Sequence, residues 1–261
     1  MTAAALDPTA ATLDVSGTPR IPLTRLVLVE LRKLADTRSG KWLLITIGVI
    51  TLLIVVTVFL TAKQSDRTFL NFMGATATPQ GFLLPVLGIL LVTSEWNQRT
   101  ALVTFTLMPV RGRVVVAKVA AALIAGFAAI VLAVAVAALA TIVGGASDAW
   151  ANIGLDDFAK FGLLQATGVL QGLAFGLLFL NSAAAIVVYF VVPIAFSIVA
   201  NLWSALKDAA PWIDLGTSQP PLYSGVNMTG EQWAQLATST ALWVLLPLVL
   251  GVLRVLRAEV K

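Results

Sequence analysis

The chain has neither cysteine nor histidine among its 261 residues. Without cysteine there is no disulfide and no thiolate metal site. Without histidine the usual proton shuttle and the commonest metal ligand are both missing, which excludes Ser-His and zinc-dependent hydrolysis. Charge is scarce as well: 11% of residues are charged, against roughly 25% in a soluble domain, whereas 59% are hydrophobic. Such a chain is expected to be an all-α integral membrane protein. It is not expected to hydrolyse ATP, because no G-x-x-x-x-G-K-[ST] loop is present. Its one Gly-Lys pair, Gly40-Lys41, is followed by Trp42 and has Ala35 where the first glycine belongs.

What the chain does have is long apolar runs. Six transmembrane helices are expected, at about 42–62, 79–95, 114–143, 161–180, 183–203 and 236–254. The first holds 21 residues, close to the ~20 that cross a bilayer. The third, Val114 to Val143, would be about 45 Å long as a straight helix, so it must tilt or project. From Phe161 to Trp203 no residue is charged, and this stretch suits two crossings joined by a tight turn at Asn181-Ser182. Within it Gly168, Gly172 and Gly176 form a strip that lets another helix approach closely. The last outer segment, 204–236, carries Trp212, Trp233 and Pro220-Pro221, and part of it is expected at the headgroup level. Thr229 and Gln232 fit a capping box that starts the final helix early.

Residues 1–20 are small and polar, without the pattern of a secretory signal, and are expected to form a disordered cytoplasmic tail. Residues 22–38 then follow a helical period. Leu23, Leu26, Val27, Leu31 and Leu34 share one face, with Arg25, Arg32 and Asp36 opposite, as in an interfacial helix on the inner membrane surface. Glu30 falls inside the apolar face. A local pair with Lys33 and a contact to a basic partner explain it equally well. With six spans and both termini cytoplasmic, the inner segments hold Arg20, Arg25, Arg32, Lys33, Arg38, Lys41, Arg99, Arg111, Arg113, Lys118, Arg254, Arg257 and Lys261. Only Lys63, Arg67, Lys160 and Lys207 fall outside, so the positive-inside bias favours this orientation. The same bias accounts for the net charge of +4 without nucleic acid.

The stretch Ser94 to Lys118 is the one long polar inner interruption. Ala101, Leu102, Phe105 and Met108 recur at helical spacing, which predicts a short helix over 97–108 with one apolar face, ended by Pro109. No Asp, Glu, Lys or Arg is expected deep in a span, which disfavours ion-coupled transport, and no buried carboxylate pair is expected, which disfavours a membrane enzyme. Gln165, Gln171, Tyr189, Ser197 and Asn201 are the polar groups left in the fourth and fifth spans. Hydrogen bonding to a neighbouring helix is their first reading; for Gln165, Gln171, Tyr189 and Asn201, a substrate path is the second.

These residues resemble the ABC-2 family of ABC transporter permeases, particularly actinobacterial ones. The resemblance is carried by Glu95, Arg99-Thr100-Ala101, Thr104-Phe105, Pro109, Arg111, Arg113 and Ala117-Lys118, and by Glu30-Leu31-Arg32-Lys33-Leu34 followed by Thr37-Arg38-Ser39. It implies a permease subunit in a bacterial cell membrane that moves a drug, lipid-like molecule or peptide outward. It further implies a partner P-loop ATPase carrying ATP and Mg, with no cofactor or metal on this chain, and a second permease copy or homologue among membrane lipids. By the same resemblance Glu30, Arg32, Lys33, Glu95, Arg99, Thr100, Leu102, Phe105, Met108, Pro109, Arg111 and Arg113 are the ATPase-coupling residues. A non-transporting scaffold or assembly subunit is the alternative.

Overall fold

The computed structural model describes residues 21–151, 153–223 and 227–258, so the expected tail at 1–20 lies outside the described residues. Helices α1 (Leu23–Asp36) and α2 (Arg38–Thr61) are separated by Thr37 alone. Then come α3 (Phe69–Asn97), the short α4 (Ala101–Leu107), α5 (Arg111–Gly144), α6 (Leu155–Phe179) and α7 (Ser182–Leu202). Three four-residue helices follow: α8 (Ser204–Lys207), α9 (Ala210–Ile213) and α10 (Leu215–Ser218). The last crossing is α11 (Gly230–Thr240), a π turn at Ala241–Leu245 and α12 (Leu246–Arg257). Six of these helical stretches are long and apolar enough to cross a membrane.

Two expected starts move outward. The second crossing begins at Phe69 rather than Pro79, and both Pro79 and Pro85 lie inside a 29-residue helix. Thr68 caps it by accepting the Asn71 N–H at 3.4 Å, and Phe69, Phe72 and Met73 are buried in its first turns. Burial of these side chains outweighs the two missing proline donors, which apolar helices tolerate when neighbours pack around them. The fourth crossing starts at Leu155 rather than 161, because the Asp157 carboxylate accepts the Gly154 N–H at 2.9 Å and two aspartates occupy the first turn. Negative charge there favours the helix dipole. Other expected features lie close to their predicted places, the α6–α7 turn one residue earlier than Asn181-Ser182. The 34-residue α5 is about 51 Å long. The α6–α7 turn lies at Leu180-Asn181, with Asn181 Oδ1 accepting the Ala184 N–H at 3.0 Å, and Thr229 and Gln232 form the reciprocal cap at 3.2 and 2.9 Å.

The inner pair is α3 and α6, pressed together at glycines. A Cβ on Gly172 would stand 2.1 Å from the Pro85 carbonyl oxygen, and one on Gly88 2.5 Å from that of Val169. Gly176 is looser, an added Cβ standing 3.2 Å from Ile89, and Gly168 would make ordinary contact at 3.5 Å. The glycine strip therefore packs helices, with Gly172 at its centre. On the other side of α6, a Cβ on Gly251 would stand 2.6 Å from Leu177 Cβ, so glycine there admits the close approach of α12. By contrast α2 and α7 are peripheral: 61% of α6's apolar stretch is buried but only 11% of α7's.

The bundle has two distinct ends. At one, Gln64 donates to the Gly145 carbonyl at 3.0 Å and the Phe69 N–H to that of Ala149 at 2.9 Å. The other gathers α1, α4, the start of α5, the α6–α7 turn and the end of α12. There Arg254 donates to the Leu178 carbonyl and Asn97 to Ser182. Within segment 204–223 the short helices α9 and α10 are laid on α11. Trp243 Nε1 donates to the Ile213 carbonyl at 2.7 Å, and the Ser218 and Ser239 hydroxyls meet at 2.6 Å.

Candidate functional site: a buried charge quartet

The site begins at the elbow between α1 and α2. Thr37 Oγ1 accepts the Gly40 N–H at 3.3 Å. Any Cβ on Gly40 would lie 2.0 Å from the Leu34 carbonyl oxygen, so only glycine permits this sharp return. The elbow holds α1 against α5 and α2 with Leu34 and Glu30 buried and Val27 and Leu31 partly so. This is the face the helical period defines.

Glu30 lies on that face with Lys118 opposite. Lys118 Nζ is 2.7 Å from Glu30 Oε2 and 3.2 Å from Glu95 Oε2, while Lys33 Nζ is 2.9 Å from Glu30 Oε1 and 2.5 Å from Glu95 Oε1. The four groups close a ring of alternating sign. Glu30, Glu95 and Lys118 are 5, 6 and 4% exposed; Lys33 reaches partly to solvent. Two further bonds complete it: Lys118 donates to the Leu91 carbonyl at 3.1 Å and Thr104 Oγ1 to Glu95 Oε1 at 3.1 Å. Taking a charge out of water costs several kcal/mol, and the ring offsets this by giving each ion two partners of opposite sign. Burial works against the charge on Lys33, but the neighbouring Glu30 and Glu95 outweigh it and raise its pKa above the ordinary 10.5. It therefore stays an ammonium at neutral pH.

Three sequence expectations change here. The local Glu30–Lys33 pair exists, and the further basic group facing Glu30 is Lys118 of the same chain. Lys118 is a charge inside a span: it lies two turns into α5 and is buried there, and its position within the expected third span, 114–143, was the signal available in sequence. A carboxylate pair is buried after all, since Glu30 and Glu95 share both lysines.

Beyond Glu95, α3 ends in a left-handed cap. Thr100 N–H returns to the Glu95 carbonyl at 2.8 Å and Arg99 N–H to that of Trp96 at 3.2 Å, with Arg99 at φ 56°. Glycine normally takes this position. The helix that follows is seven residues long and shorter than 97–108. Its expected apolar face divides. Ala101 is buried, Met108 is half-buried, and Phe105 packs on Trp96 at 6.1 Å beneath the Arg111 guanidinium at 4.9 Å. Leu102 instead points outward with Val103 and Leu107, because one residue past Ala101 is a rotation of about 100°.

The arginines divide in the same way. Arg111 donates to the Val255 and Ala258 carbonyls at 2.9 and 2.6 Å, satisfying the end of α12, and Arg113 donates to the Ile21 carbonyl at 2.6 Å. They are staples within the chain. Arg32, Arg99, Thr100, Leu102 and Pro109 are exposed. Between α1 and α4 runs an apolar cleft of about 300 Å³ lined by Leu26, Val29, Val103, Leu107 and Met108, with Glu30 and Lys33 also on its wall.

The candidates for a substrate path do not form one group. Gln165 Nε2 donates to Gln80 Oε1 at 3.0 Å, and Gln80 in turn to the Ala129 carbonyl at 2.9 Å, a buried chain across α6, α3 and α5. That is the helix-linking reading, and Gln80 is its unanticipated member. Gln171 is buried elsewhere on α6, and Tyr189 packs edge-on against Phe175 and Phe190 at 6.1 and 4.9 Å. Ser197 donates to Asp214 at 2.9 Å. The Asn201 side chain lies outside the described residues.

The chain matches no protein-family model and no curated protein. The functional reading therefore rests on the site itself. Mechanically the quartet joins a helix at the basic end, α1, to two crossings, α3 and α5, and through Thr104 to α4.

Proposed function

We propose that this protein is the membrane permease subunit of an ATP-driven exporter of the ABC-2 type, in a bacterial cell membrane, with its basic end in the cytoplasm. One observation carries the reading: the buried quartet makes α1, α4 and the cytoplasmic ends of α3 and α5 a single rigid body. An ATPase pressing on α1 or α4 would then tilt two crossings together, where an ordinary basic loop would absorb the push. The outward residues Arg32, Arg99, Leu102 and Leu107 supply the contact with that ATPase, which carries the ATP and Mg. A second copy or homologue completes the pathway for a hydrophobic or amphipathic substrate.

The test is purification of the tagged chain from its native membrane. A P-loop ATPase should be recovered in stoichiometric amount, and its hydrolysis should fall when Glu95→Gln loosens the quartet. Recovery of the chain without any ATPase would discard the export reading in favour of a scaffold.

A further inference from the structure

At the end of the bundle opposite the quartet, Arg67 lacks a counter-ion. Among the described residues it makes no ion pair, and its buried Nε has no hydrogen-bond partner. Its neighbour Asp66 is turned to Ser65, which donates to it at 2.9 Å. The Arg67 guanidinium lies over the ring of Phe59, 4.6 Å from its centre, and its stem is packed against the end of α5, where a Cβ on Gly144 would be 3.0 Å away. Phe59 is also one end of a groove. Between α2 and α5 runs an apolar trough of about 280 Å³ lined by Leu52, Val56, Phe59, Val136, Leu139 and Val143. From Leu52 to Phe59 it extends about 10 Å along the helix axis. Phe59 and Val143 both stand near the ends of their helices, so the trough finishes beside Arg67.

We propose that this trough holds one acyl chain of an anionic phospholipid whose phosphate is bound by Arg67. The two halves of the site have different jobs. A chain leaving the bilayer for an apolar groove exchanges one hydrocarbon environment for another, so the groove positions the lipid without choosing it. Choice comes from the head: the guanidinium's planar fork of N–H donors grips the phosphate, stacking on an aromatic face leaves the edge of that fork available, and its unpaired charge favours a head group with net negative charge over one whose own ammonium, as in phosphatidylcholine, cancels the phosphate. Basic groups between transmembrane helices recognise anionic head groups for this reason. This inference stands apart from the transport reading.

The experiment is native mass spectrometry of the full chain in detergent, titrated with phosphatidylglycerol or phosphatidylcholine of equal chain length. Phosphatidylglycerol should bind roughly tenfold tighter to the wild type, about 1.4 kcal/mol. Arg67→Gln should reduce it to the level of phosphatidylcholine, and Arg67→Lys should keep part of the preference. Val56→Trp and Leu139→Trp, on exposed groove walls at 43 and 64% exposure and so harmless to folding, should weaken both lipids. An unchanged preference in Arg67→Gln overturns the proposal, and so does undiminished binding in both tryptophan variants. Complete displacement of lipid by millimolar inorganic phosphate would show an anion site without a lipid groove and would equally overturn it.

Discussion

At the scale of single residues, the quartet is the costliest arrangement in the chain and the most informative to break. Glu95 neutralises two lysines at once, so Glu95→Gln should lower stability by about 3 kcal/mol, at the lower edge of the range for removing one partner of a buried pair, since Lys118 keeps Glu30 and the Leu91 carbonyl. Thermal unfolding in detergent measures this, and a loss under 1 kcal/mol would mean that water already reaches the ring. Arg99 poses the opposite case. Its left-handed backbone costs a non-glycine residue about 1 kcal/mol, so Arg99→Gly should raise stability by that amount. If ATPase coupling drops in the same variant, the exposed guanidinium is kept for contact. Unchanged coupling would make Arg99 an incidental cap residue. None of this pairing was legible beyond Glu30–Lys33: Lys33 and Glu95 stand 62 positions apart and Glu30 and Lys118 88 apart, and a helical period reports only on neighbours along one helix.

Among elements, the closest contact is between α3 and α6, and the glycine strip was readable while its partner was not. Gly172→Ala should destabilise by more than 3 kcal/mol, because the added carbon meets backbone 2.1 Å away that cannot yield without parting the helices. Gly168→Ala, with 3.5 Å of room, should stay within about 0.5 kcal/mol. Similar losses in the two variants would refute a contact centred on Gly172. On α4 the structure separates docking from packing. Leu107, 76% exposed, can become Asp with little effect on the melting midpoint but a large loss of ATPase binding in a pull-down. Phe105→Asp should instead unfold the α4 region, since its ring is sandwiched between Trp96 and Arg111. Equal pull-down by the Leu107 variant and wild type would remove α4 from the interface. Element starts at Phe69 and Leu155 escaped the sequence reading because caps at Thr68 and Gly154, together with burial, extend helices past the apolar stretch that hydropathy detects.

For the whole molecule, the orientation in the membrane is the property on which the proposed mechanism depends, and a chain without cysteine is suited to testing it. Single cysteines at Ser65 and Thr106, both exposed and at opposite ends, should differ: an impermeant maleimide applied to intact cells should label the first and not the second. The reverse pattern would place the quartet outside and dismiss the ATPase partner. Hydrophobic runs, the scarcity of charge and the asymmetry of lysine and arginine depend only on which residues are present and in what order. From these alone follow a helical chain with six stretches able to cross a membrane, the overlong α5 and, to within one residue, the turn that the structure places at Leu180-Asn181. The peripheral α2 and α7 are more apolar than the inner α3 and α6, as suits helices with little protein around them, but which helices cover α3 and α6, and at which glycines, came only with the tertiary structure. The same holds for the charges. A carboxylate in an apolar face and a lysine inside an apolar helix are anomalies when read singly; folding brings them within 2.7 Å, and the attraction between them offsets the cost of removing both from water.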